Sequence, residues 1–304
     1  MYFFVQVKSG RAPRRETIWK GLQTTEMSVR NVVAHRSRCR SSYWTAVVLL
    51  GLCSSSLAAD WQSTLTREPP GKFPGLRPLR ASYRFGWAGL TAATGEVHFT
   101  APSADKFQLD ATGQTIGFVR ALWKLDADFH AVANSQTLRP IETQQTENYR
   151  KKKLVTRLTF TSKGVTRART ETRDGSTGTK TRQFDFTDLF DLHSAMLYLR
   201  SQPLTDRSVH RVVVYASTNG YLATVTVVSR GEISVRAGTY KAIKLDLQLS
   251  RIGKHLELEP HRKFRRATIW VSDDSDRILL RIEAQIFVGT VFAELQSVRF
   301  DGSR

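Results

Sequence analysis

The chain has 304 residues, 40% of them hydrophobic and 24% charged. That supplies one large core or two small ones and excludes a wholly disordered chain. Lys and Arg number 46 against 27 Asp and Glu, a formal charge of +19, and such an excess favours anionic partners.

Residues 1–58 read as a leader. They hold nine basic and two acidic residues, so the remainder keeps 37 basic against 25 acidic, a formal +12. Residues 44–52 (WTAVVLLGL) form a short apolar run. Arg30, Arg36, Arg38 and Arg40 precede it, and Ser54, Ser55, Ser56, Leu57, Ala58 and Ala59 follow it. This order of charge, apolar run and small residues is that of a secretory signal peptide. Ser56-Leu57-Ala58 places cleavage after Ala58, with Ala59 the alternative. The run falls short of the roughly 20 apolar residues of a membrane-spanning helix, and an uncleaved anchor is the competing reading. Starting at Met27 gives a leader of ordinary length. A lipid-modified Cys53 is disfavoured by the Leu52 before it. Both cysteines, Cys39 and Cys53, lie in the leader, so the mature chain has no disulfide and no thiolate metal site. The expected address is the periplasm, reached by Sec-type export.

Residues 59–79 form an irregular lead-in, and 60–79 carry four of the nine prolines, which supply no ladder donor. Beyond Arg80, short runs alternate with a period of two, the pattern of half-buried strands. Strands are expected over 81–87, 95–100, 106–111, 124–133, 137–149, 153–161 and 164–170. Residues 173–178 form a turn. A second set is expected over 209–216, 221–229, 240–250, 265–272, 278–286 and 290–299, with 231–237 a shorter candidate. Asn219-Gly220 suits a hairpin turn over 217–220, and 273–276 is a second polar turn. Residues 186–200 break the rhythm. Thr187 or Asp188 caps a helix there, Leu189, Leu192, Met196 and Leu199 recur at helical spacing, and Pro203 follows its end. Residues 118–123 form a second short helical turn. The fold class is therefore mainly β: a large curved antiparallel sheet or half-open β-barrel with one central helix at about 187–200. A single domain over 80–300 is expected, two β-subdomains joined by the helix being the alternative.

The stretches YRFGWAGLTAATGEVHF, DLHSAMLYLRSQPL, GEISVRAGTYKAIKLDL and ATIWVSDDSDRILLRIEAQIFVGTVFAEL resemble the exported bacterial domain-of-unknown-function family DUF3108 across roughly 80–298. That resemblance implies no activity and no catalytic residue. The hairpin that begins at Trp270 also resembles the closing hairpins of periplasmic lipoprotein-carrier proteins. In those, a half-open barrel holds an acyl chain beneath a helical lid, and the resemblance implies a carrier.

Several constellations invite chemistry. His255, Glu257, Glu259 and His261 would share one face of an extended chain, and zinc accepts such ligands. Pro260 and the neighbouring basic residues favour a solvated loop instead. Asp273, Asp274 and Asp276 lack the Gly and distal Glu of a calcium loop, and a polar turn explains them. His193, after Asp188 and Asp191, is either a general base or a core-bordering histidine. No nucleophile elbow, phosphate loop or dinucleotide fingerprint occurs, so neither cofactor nor metal is expected and enzymatic activity ranks third.

Two basic clusters, Arg150-Lys151-Lys152-Lys153 and Arg262-Lys263-Phe264-Arg265-Arg266, suit anionic lipid headgroups or envelope glycans, with solvated charged faces the plainer reading. Nucleic acid is not an expected partner of an exported protein. The aromatic residues Tyr83, Phe85, Trp87, Phe99, Phe107, Trp123 and Phe129 either line a ligand cavity or fill a core. The expected ligand site combines Tyr83, Phe85, Trp87 and Trp123 with Lys151, Lys152, Lys153, Arg262, Arg265 and Arg266. The expected function is a periplasmic binding or carrier module for an apolar or amphipathic envelope molecule. A structural or assembly factor docking on an envelope protein is the alternative, and an uncharacterised hydrolase the third reading.

Overall fold

A computed structural model describes residues 60–71, 77–261, 264–286 and 289–302. The leader with its two cysteines, and Arg262, lie outside the described residues. Period-two alternation gives long antiparallel strands on two arms. The N-terminal arm comprises β1 (Leu79–Trp87), β2 (Leu90–Ser103), β3 (Lys106–Thr115), β4 (Leu125–Asn134), β5 (Pro140–Tyr149), β6 (Lys152–Thr161), β7 (Gly164–Arg173) and β8 (Ser176–Asp185). The C-terminal arm comprises β9 (Leu189–Phe190), β10 (Val209–Ala216), β11 (Asn219–Val235), β12 (Gly238–Ile252), β13 (Leu258–Pro260), β14 (Phe264–Ser272), β15 (Leu279–Ile286) and β16 (Gly289–Phe300). Helix α1 (Gly117–Leu122) joins β3 to β4, and α2 (Leu192–Ser201) follows β9.

All these strands belong to one sheet, ordered β8-β7-β6-β5-β4-β3-β2-β1-β16-β15-β14-β12-β11-β10-β9, with β13 paired to β12. Each arm is a meander apart from the short parallel β9–β10 pairing. The arms join where β1 pairs with β16, from Leu79↔Phe300 to Trp87↔Val291. At this joint the buried Glu294 carboxylate is held by Arg84 at 2.9 Å and Arg281 at 3.0 Å. One end of the sheet therefore carries Leu79 and Phe300. The other carries Trp87, α1 and the tips of the β5–β6 and β7–β8 hairpins.

The sheet curls without closing. Its far strands meet through side chains: Phe184 of β8 packs on Tyr215 of β10, ring centroids 5.6 Å apart. A Cβ on Gly220 would meet the Phe184 ring at 2.6 Å, so this glycine permits close approach. The turn itself is Ser217-Thr218, with Ser217 at φ 57°, and Ala216 pairs with Asn219. Asn219-Gly220 is thus the start of β11 and not the hairpin turn expected from its composition.

Helix α2 lies between the arms. It begins at Leu192 and not near 187, because Asp188 takes a left-handed φ of 58° and Leu189–Phe190 pair with Val213 and Val214. Asp191 is its cap: the carboxylate accepts the Ser194 N–H at 2.6 Å, and Ser194 Oγ accepts the Asp191 N–H at 3.0 Å, a reciprocal capping box. Ala195, Tyr198 and Leu199 bury against β10, β11, β12 and β14. Leu197 buries against Phe99, Ala133, Leu138, Leu280 and Leu295. The helix is therefore apolar towards both arms.

Further expectations change. Of the 231–237 candidate, 231–235 is the distal part of β11 and 236–237 a turn, and the turn expected over 173–178 narrows to 174–175, with β8 beginning at Ser176. Pro260 does not prevent pairing, since β13 is a three-residue edge strand with Pro260 opposite Ser250, a place where a missing donor costs little. Among the described residues no helix is long and apolar enough to cross a membrane.

Candidate functional site: a cleft on the seam

The described part of the proline-containing lead-in becomes a strap over the seam where β8 approaches β10. The Trp61 indole N–H donates to Leu256 O at 2.8 Å, and its ring stacks on Phe186 at 5.6 Å. Thr66 N–H donates to Arg211 O at 2.9 Å, and Arg211 N–H donates to Thr66 Oγ1 at 2.8 Å. Tyr198 OH donates to Glu68 O at 2.9 Å, and Gly71 N–H to Ser201 Oγ at 3.1 Å. These bonds satisfy backbone groups along β10 and fix the strap on α2.

Between strap, β9 and β10 lies a cleft of about 160 Å³, lined among others by Leu65, Arg67, Arg139, Phe186, Phe190 and Arg211. Arg139 is held at the end of the β4–β5 hairpin. Its guanidinium stacks 4.1 Å above the Phe190 ring and pairs with Asp188 at 3.3 Å. Burial lowers its pKa and Asp188 opposes that shift. Its Nη1 is buried without a hydrogen-bond partner among the described residues, and an unpaired buried donor costs free energy until something accepts from it. Three cations against one carboxylate, with phenyl and aliphatic walls, make a cleft chemically suited to an anion bearing an apolar group.

The residues expected to form a ligand site are scattered. Tyr83 is buried, donates its hydroxyl to Leu279 O at 2.9 Å, and packs beneath the joint. Burial raises its pKa. Phe85 packs against the clusters of both arms. Trp87 and Trp123 lie at the far end of the sheet, Trp123 with its ring 6.1 Å from Tyr149. Lys151 and Lys153 are exposed, and Lys152 sits 4.9 Å from the Tyr149 ring. Arg266 is on β14, across the joint, paired with Asp246. Arg265 contributes backbone to β14. The two basic clusters thus occupy different arms. The cleft's arginines carried no sequence signal, because each stands alone in an unremarkable strand or loop, and only the curl of the sheet unites them.

The other constellations resolve structurally. His193 is buried against Phe99, ring centroids 5.9 Å apart. Burial pushes its imidazole down to about 4, with Asp191 opposing and Arg200 reinforcing the shift. A histidine so enclosed borders the core. Glu257 accepts the His255 N–H at 2.8 Å, Glu259 pairs with Arg251 at 3.1 Å, and His261 lies against Tyr221. Among the described residues no group of three His, Cys, Asp or Glu converges. Asp274 Oδ1 accepts from Ser272 Oγ and from the N–H groups of Asp276 and Arg277, while Asp273 pairs with Arg230 and Asp276 with Arg77 at 2.5 Å. Those carboxylates organise a turn.

Residues 82–296 match the family described as protein of unknown function, DUF3108. The chain belongs to that family. The DUF3108 match runs from β1 to β16 and so takes in both arms and both helices, but not the strap. No curated protein matches the chain. Among solved structures, it is similar to a β-barrel-like protein of the domain of unknown function DUF1849 from Brucella abortus, at 8% identity and a TM-score of 0.49, covering 75% of this chain and 99% of that one. It is also similar to a candidate lipoprotein from Parabacteroides distasonis, at 8% identity and a TM-score of 0.32, covering 77% of this chain and 100% of the other.

Proposed function

We propose that this protein is an exported, non-enzymatic binding module that holds the head of a small amphipathic anion in the seam cleft. The order of basic residues, apolar run and small residues in the leader supports export. The observation that carries the binding reading is Arg139, whose Nη1 is buried without a hydrogen-bond partner among the described residues, beside a cleft that also presents Arg67, Arg211, Phe186 and Phe190. The ligand class is a phosphate or carboxylate head followed by a short apolar portion. A volume of about 160 Å³ takes a head and its first carbons. A full acyl chain would continue outside, because α2 occupies the space between the arms.

Thermal unfolding with dodecyl phosphate, with inorganic phosphate and without ligand tests this reading. Dodecyl phosphate is expected to raise the midpoint, inorganic phosphate to raise it less, and Arg139→Gln to abolish both shifts. A parent protein indifferent to dodecyl phosphate, or an Arg139→Gln variant that responds as the parent does, would sink it. Mass spectrometry of organic extracts from purified protein then identifies the natural occupant.

A further inference from the structure

The sheet end opposite Leu79 carries a feature the cleft does not use. Helix α1 has no buried residue. Its one charged residue, Arg120, is half-buried and donates to Asp126 at 2.6 Å and to Thr115 O at 3.2 Å. Its apolar residues Phe118 and Leu122, one turn apart, are 76% and 70% exposed. A surface helix ordinarily turns its large apolar side chains to the core. The β1–β2 hairpin lies beside it, since Ile116 N–H donates to Ala92 O at 3.0 Å, and that hairpin adds Trp87 at 46% and Leu90 at 70% exposure. Four of the eight exposed large apolar side chains among the described residues therefore gather at one end of one sheet. Exposed apolar side chains gathered in this way mark an interaction site.

Charge decides what the patch meets. The β5–β6 hairpin is tied to α1 by Arg150, which donates to Ala121 O at 2.8 Å. Over residues 117–126 and 149–153 the cations are Arg120, Lys124, Arg150, Lys151, Lys152 and Lys153, against the single carboxylate Asp126. That carboxylate is already taken by Arg120 and, at 3.8 Å, by Lys124. Lys151 and Lys153 are exposed. Beside them Tyr149 and Trp123 form an aromatic pair, a residue type that settles at membrane interfaces. Protruding apolar tips ringed by lysine and interfacial aromatics complement an anionic bilayer, whose acyl region takes the tips and whose headgroups take the cations.

We propose that this end of the sheet, formed by the β1–β2 hairpin, α1 and the β5–β6 hairpin, docks the protein on an anionic lipid surface. Phe118, Leu122, Leu90 and Trp87 enter the headgroup–acyl boundary, and Lys151 and Lys153 contact phosphate groups. The protein is held peripherally, so the contact is reversible and weakens with salt. The site is separate from the seam cleft and stands whether or not the cleft binds a ligand.

Co-sedimentation of the full chain tests the proposal, using vesicles of phosphatidylglycerol mixed with phosphatidylcholine and vesicles of phosphatidylcholine alone. All variants are compared in the same processed form, with the N-terminus read by mass spectrometry. The parent is expected to prefer the anionic vesicles and to lose that preference as salt rises. Phe118→Ser with Leu122→Ser is expected to weaken binding about tenfold or more, since both side chains are already exposed and stability is little affected. Lys151→Glu with Lys153→Glu is expected to weaken it by a similar factor at low salt. Quenching of tryptophan fluorescence by lipids brominated on the acyl chain should fall in Trp87→Phe. A parent that ignores anionic vesicles, or binding that neither double variant changes, overturns the proposal.

Discussion

The two arms of the sheet share one hydrogen-bonded ladder but stabilise it by different means. The inner face of the C-terminal arm is aliphatic: Val212, Val214, Val225, Val227, Ile243, Leu245, Ile269 and Val271 are all buried in one cluster with α2. The inner face of the N-terminal arm around β5, β6 and β7 interleaves buried Leu154, Leu158 and Val165 with buried Thr143, Gln145, Glu147, Thr156 and Arg167. Buried polar groups on this scale need partners. Thr143 donates to Asp191 of α2, and Tyr149 donates to Glu147 at 2.9 Å. Burial raises the Glu147 pKa, with Tyr149 and nearby Arg169 and Lys152 opposing. The C-terminal arm is thus held by aliphatic burial against the helix, the N-terminal arm by apolar side chains interleaved with buried polar contacts. The helix is where the two schemes meet.

Removing that meeting point gives the largest expected effect. Leu197 is 1% exposed and packs in the cluster where α2 meets Phe99, Ala133 and Leu138 of the N-terminal arm. Leu197→Ala is expected to cost about 2–5 kcal/mol of unfolding free energy, the range for a leucine cavity in a core. Urea unfolding followed by tryptophan fluorescence measures it. A loss well under 1 kcal/mol would mean that the N-terminal arm does not depend on α2.

A smaller and pH-dependent effect comes from His193 on the same helix. Its ordinary pKa is 6.5 and burial holds the folded value at about 4. The unfolded chain therefore takes up the proton first as pH falls. The stability contributed by the neutral, buried imidazole is complete above about pH 6.5 and is lost as pH falls through about 4. A shift of this size corresponds to something on the order of 3 kcal/mol across that window. His193→Gln, which does not titrate, is expected to flatten the stability profile between those pH values in denaturant titrations. An unchanged profile would show that another group, such as His210, whose pKa burial also lowers, dominates acid sensitivity.

The burial of each strand also explains what could be read from the sequence. Apolar alternation marks β1, β4 and β6 on one arm and β10, β12, β14, β15 and β16 on the other closely, because each buries an apolar face. The polar β8 was invisible: nearly all of its residues are exposed, and without a buried face there is no period-two signal to detect. The start of α2 was misplaced because Leu189 fits helical spacing, whereas its backbone is claimed by pairing with Val213. The seam cleft was illegible for a different reason. Arg67, Arg139 and Arg211 are far apart in the chain, and their convergence is a property of sheet curvature. The exposed tips Trp87 and Phe118 were legible as residues but not as a surface, since alternation predicts which side chains share a face and not which end of a sheet they crown.

The least effect is expected at the free edge of the N-terminal arm, and it sharpens the comparison most directly. Strand β8 pairs only with β7, and its side chains add Thr170–Thr179 and Thr172–Thr177 hydroxyl contacts at 2.8 and 3.1 Å. Cross-strand threonine pairs of this type contribute roughly 0.2–1 kcal/mol. Thr179→Ala is therefore expected to lower global stability by no more than that, while accelerating amide exchange along β7 and β8 ahead of the rest of the sheet. Edge pairing that lacks buried apolar area opens locally at low free energy. If β8 amides instead exchange as slowly as those of β12, the Phe184 contact with Tyr215 must fasten the edge across the seam. The two arms would then unfold as one closed unit.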